Sequence, residues 1–147
     1  MEKTTLCYLV KDDKVLLLFR NKNDDINYGK WIGVGGHALK NESLDDCIKR
    51  EVKEETNLDL ISFNYRGIIK FYYDDILTEE THLYISNEFI GDIKECNEGI
   101  LKWHYIKDIY KLSLWEGDKI FLEPLFNTND FINIKLYYKN DKLVKVE

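Results

Sequence analysis

Gly33-Val34-Gly35-Gly36 and, a short way on, Arg50-Glu51-Val52-Lys53-Glu54-Glu55 are the stretch whose reading decides the rest of this chain. With Glu51 set at zero on a helical wheel of about 100° per residue, Leu44, Ile48 and Val52 fall within about 20 to 100°, and Cys47 takes the near flank. Glu55 lands on that apolar stripe, Glu51 on its edge and Glu54 about 60° to the other side, while Asp45, Asp46, Lys49 and Lys53 face water. Had the acids alternated with the lysines on one face, they would read as an ordinary solvated surface. Acids on a buried stripe, with nothing basic in the helix expected to point the same way, need another partner. With Glu42 they form an oxygen-rich set suited to a hard divalent cation such as magnesium, manganese or calcium; zinc favours His or Cys.

The flanking residues support the same helix. Ser43 is placed to cap it, with Asp46 three residues on, and Asp45 and Asp46 complement the positive end of its dipole. These signals bound a helix over Leu44–Thr56. Ahead of it, the glycines let backbone approach a ligand where side chains would obstruct. Their place directly before the acids assigns them to the same site rather than to a plain turn.

Further out, the pattern is mostly strands. Thr4–Val10 and Val15–Phe19 alternate around a turn at Asp12-Asp13, and a loop, Asn21–Lys30, leads to the glycines. Ser62–Tyr73, His82–Ile90 and Leu101–Ile106 read as aromatic-rich strands. A short helical stretch at Asp108–Tyr110 precedes a helix over Lys119–Phe126, opened by Asp118 as its cap and shortened or kinked by Pro124, the only proline. Phe131–Tyr138 and Leu143–Val146 form a last hairpin through Asn140-Asp141. Pattern alone reaches an α/β or α+β class.

At 147 residues with 44% hydrophobic side chains, the chain is expected to form a single domain, 1–147, with a substantial core. A net charge of −6 and the absence of any Lys/Arg-dense segment argue against binding a nucleic-acid duplex. An acidic protein still binds an anionic phosphate when metal ions bridge the two. Three cysteines, Cys7, Cys47 and Cys96, show no metal-ligand pairing, and Cys47 reads as a buried free thiol. With no charged-then-apolar leader and no apolar run of membrane length, the expectation is a reduced, soluble, cytoplasmic protein, monomeric or homodimeric, without membrane partners.

From Gly36 to Leu58 the chain resembles the Nudix box: Gly36, Glu42, Arg50, Glu51, Val52, Glu54, Glu55 and Leu58 fall in register, and Asn57 stands where the family has glycine. Asn is the next best residue for the left-handed backbone wanted just past a helix. The resemblance implies an α/β/α sandwich with a mixed β-sheet and a Mg2+ (or Mn2+) cofactor. It places metal ligands at Glu51, Glu54 and Glu55, with the backbone near Gly35 or Gly36 helping, and a general base at Glu51 or Glu54. Arg50 would orient a neighbouring glutamate, and a loop acid, Glu98 or the equally near Glu95, would complete the metal set. The later Trp115-Glu116-Gly117-Asp118 is similar to the MutT-like branch of 8-oxo-dGTP diphosphatases, implying that Trp115 stacks on a base and Asp118 meets its edge. A packed Trp115 and a capping Asp118 are the structural alternatives. Ile32 stands where some relatives carry asparagine. Arg20, Lys22 and Gly35 would meet the nucleotide. The resulting expectation is a hydrolase releasing diphosphate from a nucleoside triphosphate of oxidised-purine type. The alternatives are another nucleoside diphosphate-X substrate (nucleotide sugar, ADP-ribose or RNA 5′ end), or a nucleotide sensor of the same fold.

Overall fold

The computed structural model describes residues 1–147. Its scaffold is set by hairpins with a shared turn chemistry. Strand β1 (Glu2–Lys11) meets β2 (Lys14–Phe19) through Asp12-Asp13, at φ 52 and 63. The same pair of left-handed residues joins β5 (Asp59–Tyr73) to β6 (Ile76–Ile90) at Asp74-Asp75, and β8 (Ile132–Lys139) to β9 (Lys142–Val146) at Asn140-Asp141. Two successive positive φ angles match the twist of the flanking strands, and Asp and Asn tolerate them better than other side-chain-bearing residues.

Three further strands complete a nine-stranded mixed sheet: β3 (Trp31–Ile32), β4 (Val34–His37) and β7 (Ile100–Tyr105). The order is β3-β2-β1-β6-β5-β8-β9, with β4 also on β1 and β7 also on β2; β1/β6 and β5/β8 are parallel. Most of the glycine segment, for which sequence reading predicts no strand, is therefore one, with Gly35 opposite Leu6 and Gly36 opposite Thr5. A run this poor in side chains carries no strand signal of its own; the ladder supplied by β1 makes it one.

Helices α1 (Leu44–Thr56) and α2 (Glu116–Asn127) lie on opposite faces of this sheet. The central strands show why. In β2, Val15 and Leu17 join the core containing Phe121, Leu122 and Leu125 of α2, while Leu16 and Leu18 join the core containing Ile48 and Val52 of α1. A strand buried on both faces reads as an unbroken apolar run, which Val15-Leu16-Leu17-Leu18 is. The expected α/β/α sandwich is the observed architecture.

Helix α1 has the bounds that the sequence predicts, with Ser43 Oγ accepting from Asp46 N at 3.1 Å and Asn57 closing it at φ 70. Helix α2 differs. It begins at Glu116, with Trp115 in the capping position and no side-chain cap, so Asp118 lies inside the first turn instead of ahead of it. Nor does Pro124 end it: the helix runs on to Asn127. The carbonyl of Ile120 loses its i+4 donor there, and Ile120 is on the exposed side of the helix. The turn beyond is gathered by Arg66 of β5, whose guanidinium donates to the carbonyls of Leu125 (2.9 Å), Pro124 (3.2 Å), Thr128 (2.8 Å) and Asp130 (3.1 Å). No helix is long and apolar enough to cross a membrane.

Candidate active site

Pairing β4 to β1 lays bare backbone against the acidic face of α1. A Cβ on Gly35 would collide with the backbone carbonyl of Thr5, so that position requires glycine, and one on Gly36 would push against the Glu51 carboxyl. Gly35 N–H donates to Glu55 Oε1 at 2.6 Å. Glu55 is 3% exposed, as its place on the apolar stripe predicts, and its other oxygen is buried with no hydrogen-bond partner.

Arg50 organises the remaining acids. Its fork grips Glu42 through Nε (2.8 Å) and Nη2 (3.0 Å), while Nη1 reaches Glu51 Oε1 at 2.7 Å and Glu54 Oε2 at 3.2 Å. The expectation that nothing basic in the helix meets these acids is thus corrected: a long guanidinium reaches round to its neighbours although its Cα lies on another side of the wheel. The paired charge pulls the Glu42 carboxyl down to about 2. Glu51 is pushed up by burial against the opposing pull of Arg50. Glu54 is largely exposed and held only by Arg50.

Glu98, on the loop before β7, reaches the same place. It lies 3.4 Å from Arg20 Nη1 and, after burial, is the largest influence raising Glu55 well above the ordinary carboxylate range. Two carboxyls satisfy one another only by sharing a proton or a cation. Nothing comparable ties Glu95 to the site. As arranged here, with Arg50 drawing Glu51 and Glu54 to itself, no three acids close around a single point. The chemistry of the set nonetheless fits a hard dication: all donors are oxygens, and the buried Glu55 oxygen lacks any donor.

A cavity of about 790 Å³ runs from these acids to the α2 face. Arg50, Glu51 and Glu98 line it together with Trp115 and Asp118. Arg20 lines it too, bound to Asp25 as well as Glu98, and so do Gly35 and Gly36. Lys22 is exposed and outside it, so that expected phosphate contact is not brought to the site. Trp115 is half-buried, with its edge against Tyr138, Nε1–H donating to Asn27 Oδ1 at 2.8 Å and Lys30 Nζ over its ring. Asp118 is 6% exposed and makes no side-chain hydrogen bond; burial pushes its carboxyl up to about 7, against the favourable charge of Lys30. It faces the cavity and caps nothing. Sequence reading missed Phe71, Tyr73, Thr78, Glu79 and Tyr138 of the lining. The alternation of Phe71 and Tyr73 along β5 was the available signal.

A model of the family described as the NUDIX domain matches residues 2–125. The chain belongs to the Nudix family. This Nudix domain is 32% identical over 123 residues to the uncharacterized Nudix hydrolase YvcI of Bacillus subtilis, a match covering 80% of this chain and 75% of the relative. It is 24% identical over 142 residues to the oxidized purine nucleoside triphosphate hydrolase of Danio rerio, covering 96% of this chain and 90% of that one. In three dimensions it resembles the crystal structure of the mutator MutT protein from Bacillus halodurans, with a TM-score of 0.90, 25% identity, and coverage of 100% and 97%. The protein is a MutT-like Nudix hydrolase. Nudix hydrolases act on small nucleotide substrates and generally use divalent metal cations.

Proposed function

We propose that this hydrolase cuts a purine nucleoside triphosphate, of the oxidised type named for the Danio rerio relative, into monophosphate and diphosphate with Mg2+ or Mn2+. The observation that carries this reading is the single cavity lined by Glu51, Arg50 and Glu98 and also by Trp115 and Asp118. Acids that hold a cation suit a polyphosphate; an indole and a buried carboxyl suit a base. Glu51, Glu54, Glu55 and Glu98, with backbone near Gly36, would hold the metal, which when bound neutralises phosphate oxygens and lowers the pKa of a water. Glu51, with Glu54, is the candidate general base: Arg50 donates to both and sets their orientation. Arg20 stands where a phosphate would pass, and Trp115 offers a face for stacking worth about 1 to 3 kcal/mol.

Diphosphate release is the test. The protein is mixed with Mg2+ and a panel of ordinary and oxidised nucleoside triphosphates, nucleotide sugars and ADP-ribose at alkaline pH. Diphosphate and monophosphate should appear from purine triphosphates. Turnover confined to the sugar conjugates, or tight nucleotide binding with no turnover, would overturn the reading.

A further inference from the structure

The polar run Thr78-Glu79-Glu80-Thr81 lies within β6: Thr78 is the extra residue at a bulge opposite Phe71 and Tyr72, and beyond it alternation separates Glu80 from Glu79 and Thr81. Glu80 turns to His82, 2.9 Å away on one face, whereas Glu79 and Thr81 face the cavity on the other. Opposite them on β1 stand Glu2, in register with Glu79, and Thr4, whose hydroxyl lies 2.9 Å from that of Thr81. Directly opposed like charges destabilise a sheet. Glu2 escapes outward to His37 at 3.3 Å, but the half-buried Glu79 makes no ion pair. Burial raises its carboxyl, while the charge of His37 and then the hydroxyls of Thr81 and Thr4 favour the ionised form. It also bears on Asp118, the acid that α2 contributes to this cavity, which is buried and without a hydrogen-bond partner. Packing alone does not explain two such acids, since glutamine and asparagine would fill the same space without the charge.

We propose that Glu79 is a specificity-determining residue: with Asp118 it accepts hydrogen bonds from two adjacent donors on a purine edge and disfavours a base that presents an acceptor there. The inference rests on the nucleotide reading above. An ionised carboxylate only accepts, so an N–H beside an amino group satisfies it, as on guanine. Adenine offers a ring acceptor at the same edge, and hypoxanthine lacks the amino group.

Equilibrium binding of GMP, IMP and AMP by calorimetry at pH 8, to the full chain and to Glu79→Gln, tests this without needing turnover. The wild-type protein should prefer GMP over both others by at least about tenfold. In Glu79→Gln that preference should fall to within about threefold, and AMP should bind more tightly than it does to wild type, because an amide also donates. Damage to the fold weakens all three together and cannot produce that gain. An unchanged ranking in the variant, a parallel loss for all three, or a wild-type protein blind to the base overturns the inference while leaving nucleotide hydrolysis standing. A wild-type protein that binds none of the three overturns both.

Discussion

Arg50 shows how one side chain fixes several others. Its two-pronged grip on Glu42 leaves Nη1 free for Glu51 and Glu54, and the role we propose for it is to position acids rather than to touch substrate. Arg50→Ala should therefore lower kcat by roughly 10- to 100-fold and change KM little, read from steady-state diphosphate release. Glu55 carries opposite consequences for activity and stability. Glu55→Gln keeps an acceptor for Gly35 N–H and removes a buried charge-bearing group, so turnover should fall at least about 100-fold while the urea midpoint holds or rises. A midpoint that drops with activity would mean that Glu55 is a packing residue only. For Asp118 the sign follows from its raised pKa. Between the ordinary value of 3.8 and about 7 the folded chain binds the extra proton, so this group's contribution to stability declines as pH climbs through that window and levels off above it. Asp118→Asn should be more stable than wild type at pH 8, with the gap narrowing at pH 5.5. Equal midpoint differences at the two pH values would contradict it.

Among the elements, α2 depends on a residue from another layer. Arg66 supplies donors to the carbonyl of Pro124 and to three beyond it, and its removal leaves the buried Leu125 carbonyl without that partner. Arg66→Met should cost about 2 to 4 kcal/mol in chemical denaturation, well above a surface substitution. Elements whose signals are local could be read in advance. The bounds of α1 were legible because its stripe, its Ser43 cap and its Asn57 terminus all lie within the segment. What depended on distant partners was not. β4 is a strand only because β1 hydrogen-bonds it, and β3 is two residues long. The first half of β6 was hidden because Thr78, Glu79 and Thr81 face a cavity, where a strand is free to be polar. Asp118 resembled a cap for the same reason: its carboxyl has business in the cavity, and the helix starts without it. The acids proposed to hold the metal, by contrast, lay in one short motif, whereas Glu98 needed the fold to bring it beside Glu55.

Over the whole molecule the net charge is −6, and at the site Glu98 raises the carboxyls of both Glu55 and Glu51, with Glu51 adding to the rise at Glu55. A dication that binds only the folded state should stabilise it by mass action, about 2.7 kcal/mol at a concentration a hundred times its Kd. Mn2+ should thus raise the Tm of the wild-type protein by several degrees and that of Glu55→Gln by much less. An equal rise in both would place the ion elsewhere. Strand β1 joins these regions. One of its edges carries β4 and the glycine backbone; the other carries β6 with Glu79 and Thr81. The strand is therefore a common rail on which the walls proposed to hold the metal and the base are both mounted. Deleting a single residue from its middle would invert the pleat beyond the cut and displace the two walls at once, whereas lengthening the Asp12-Asp13 turn leaves the rail untouched.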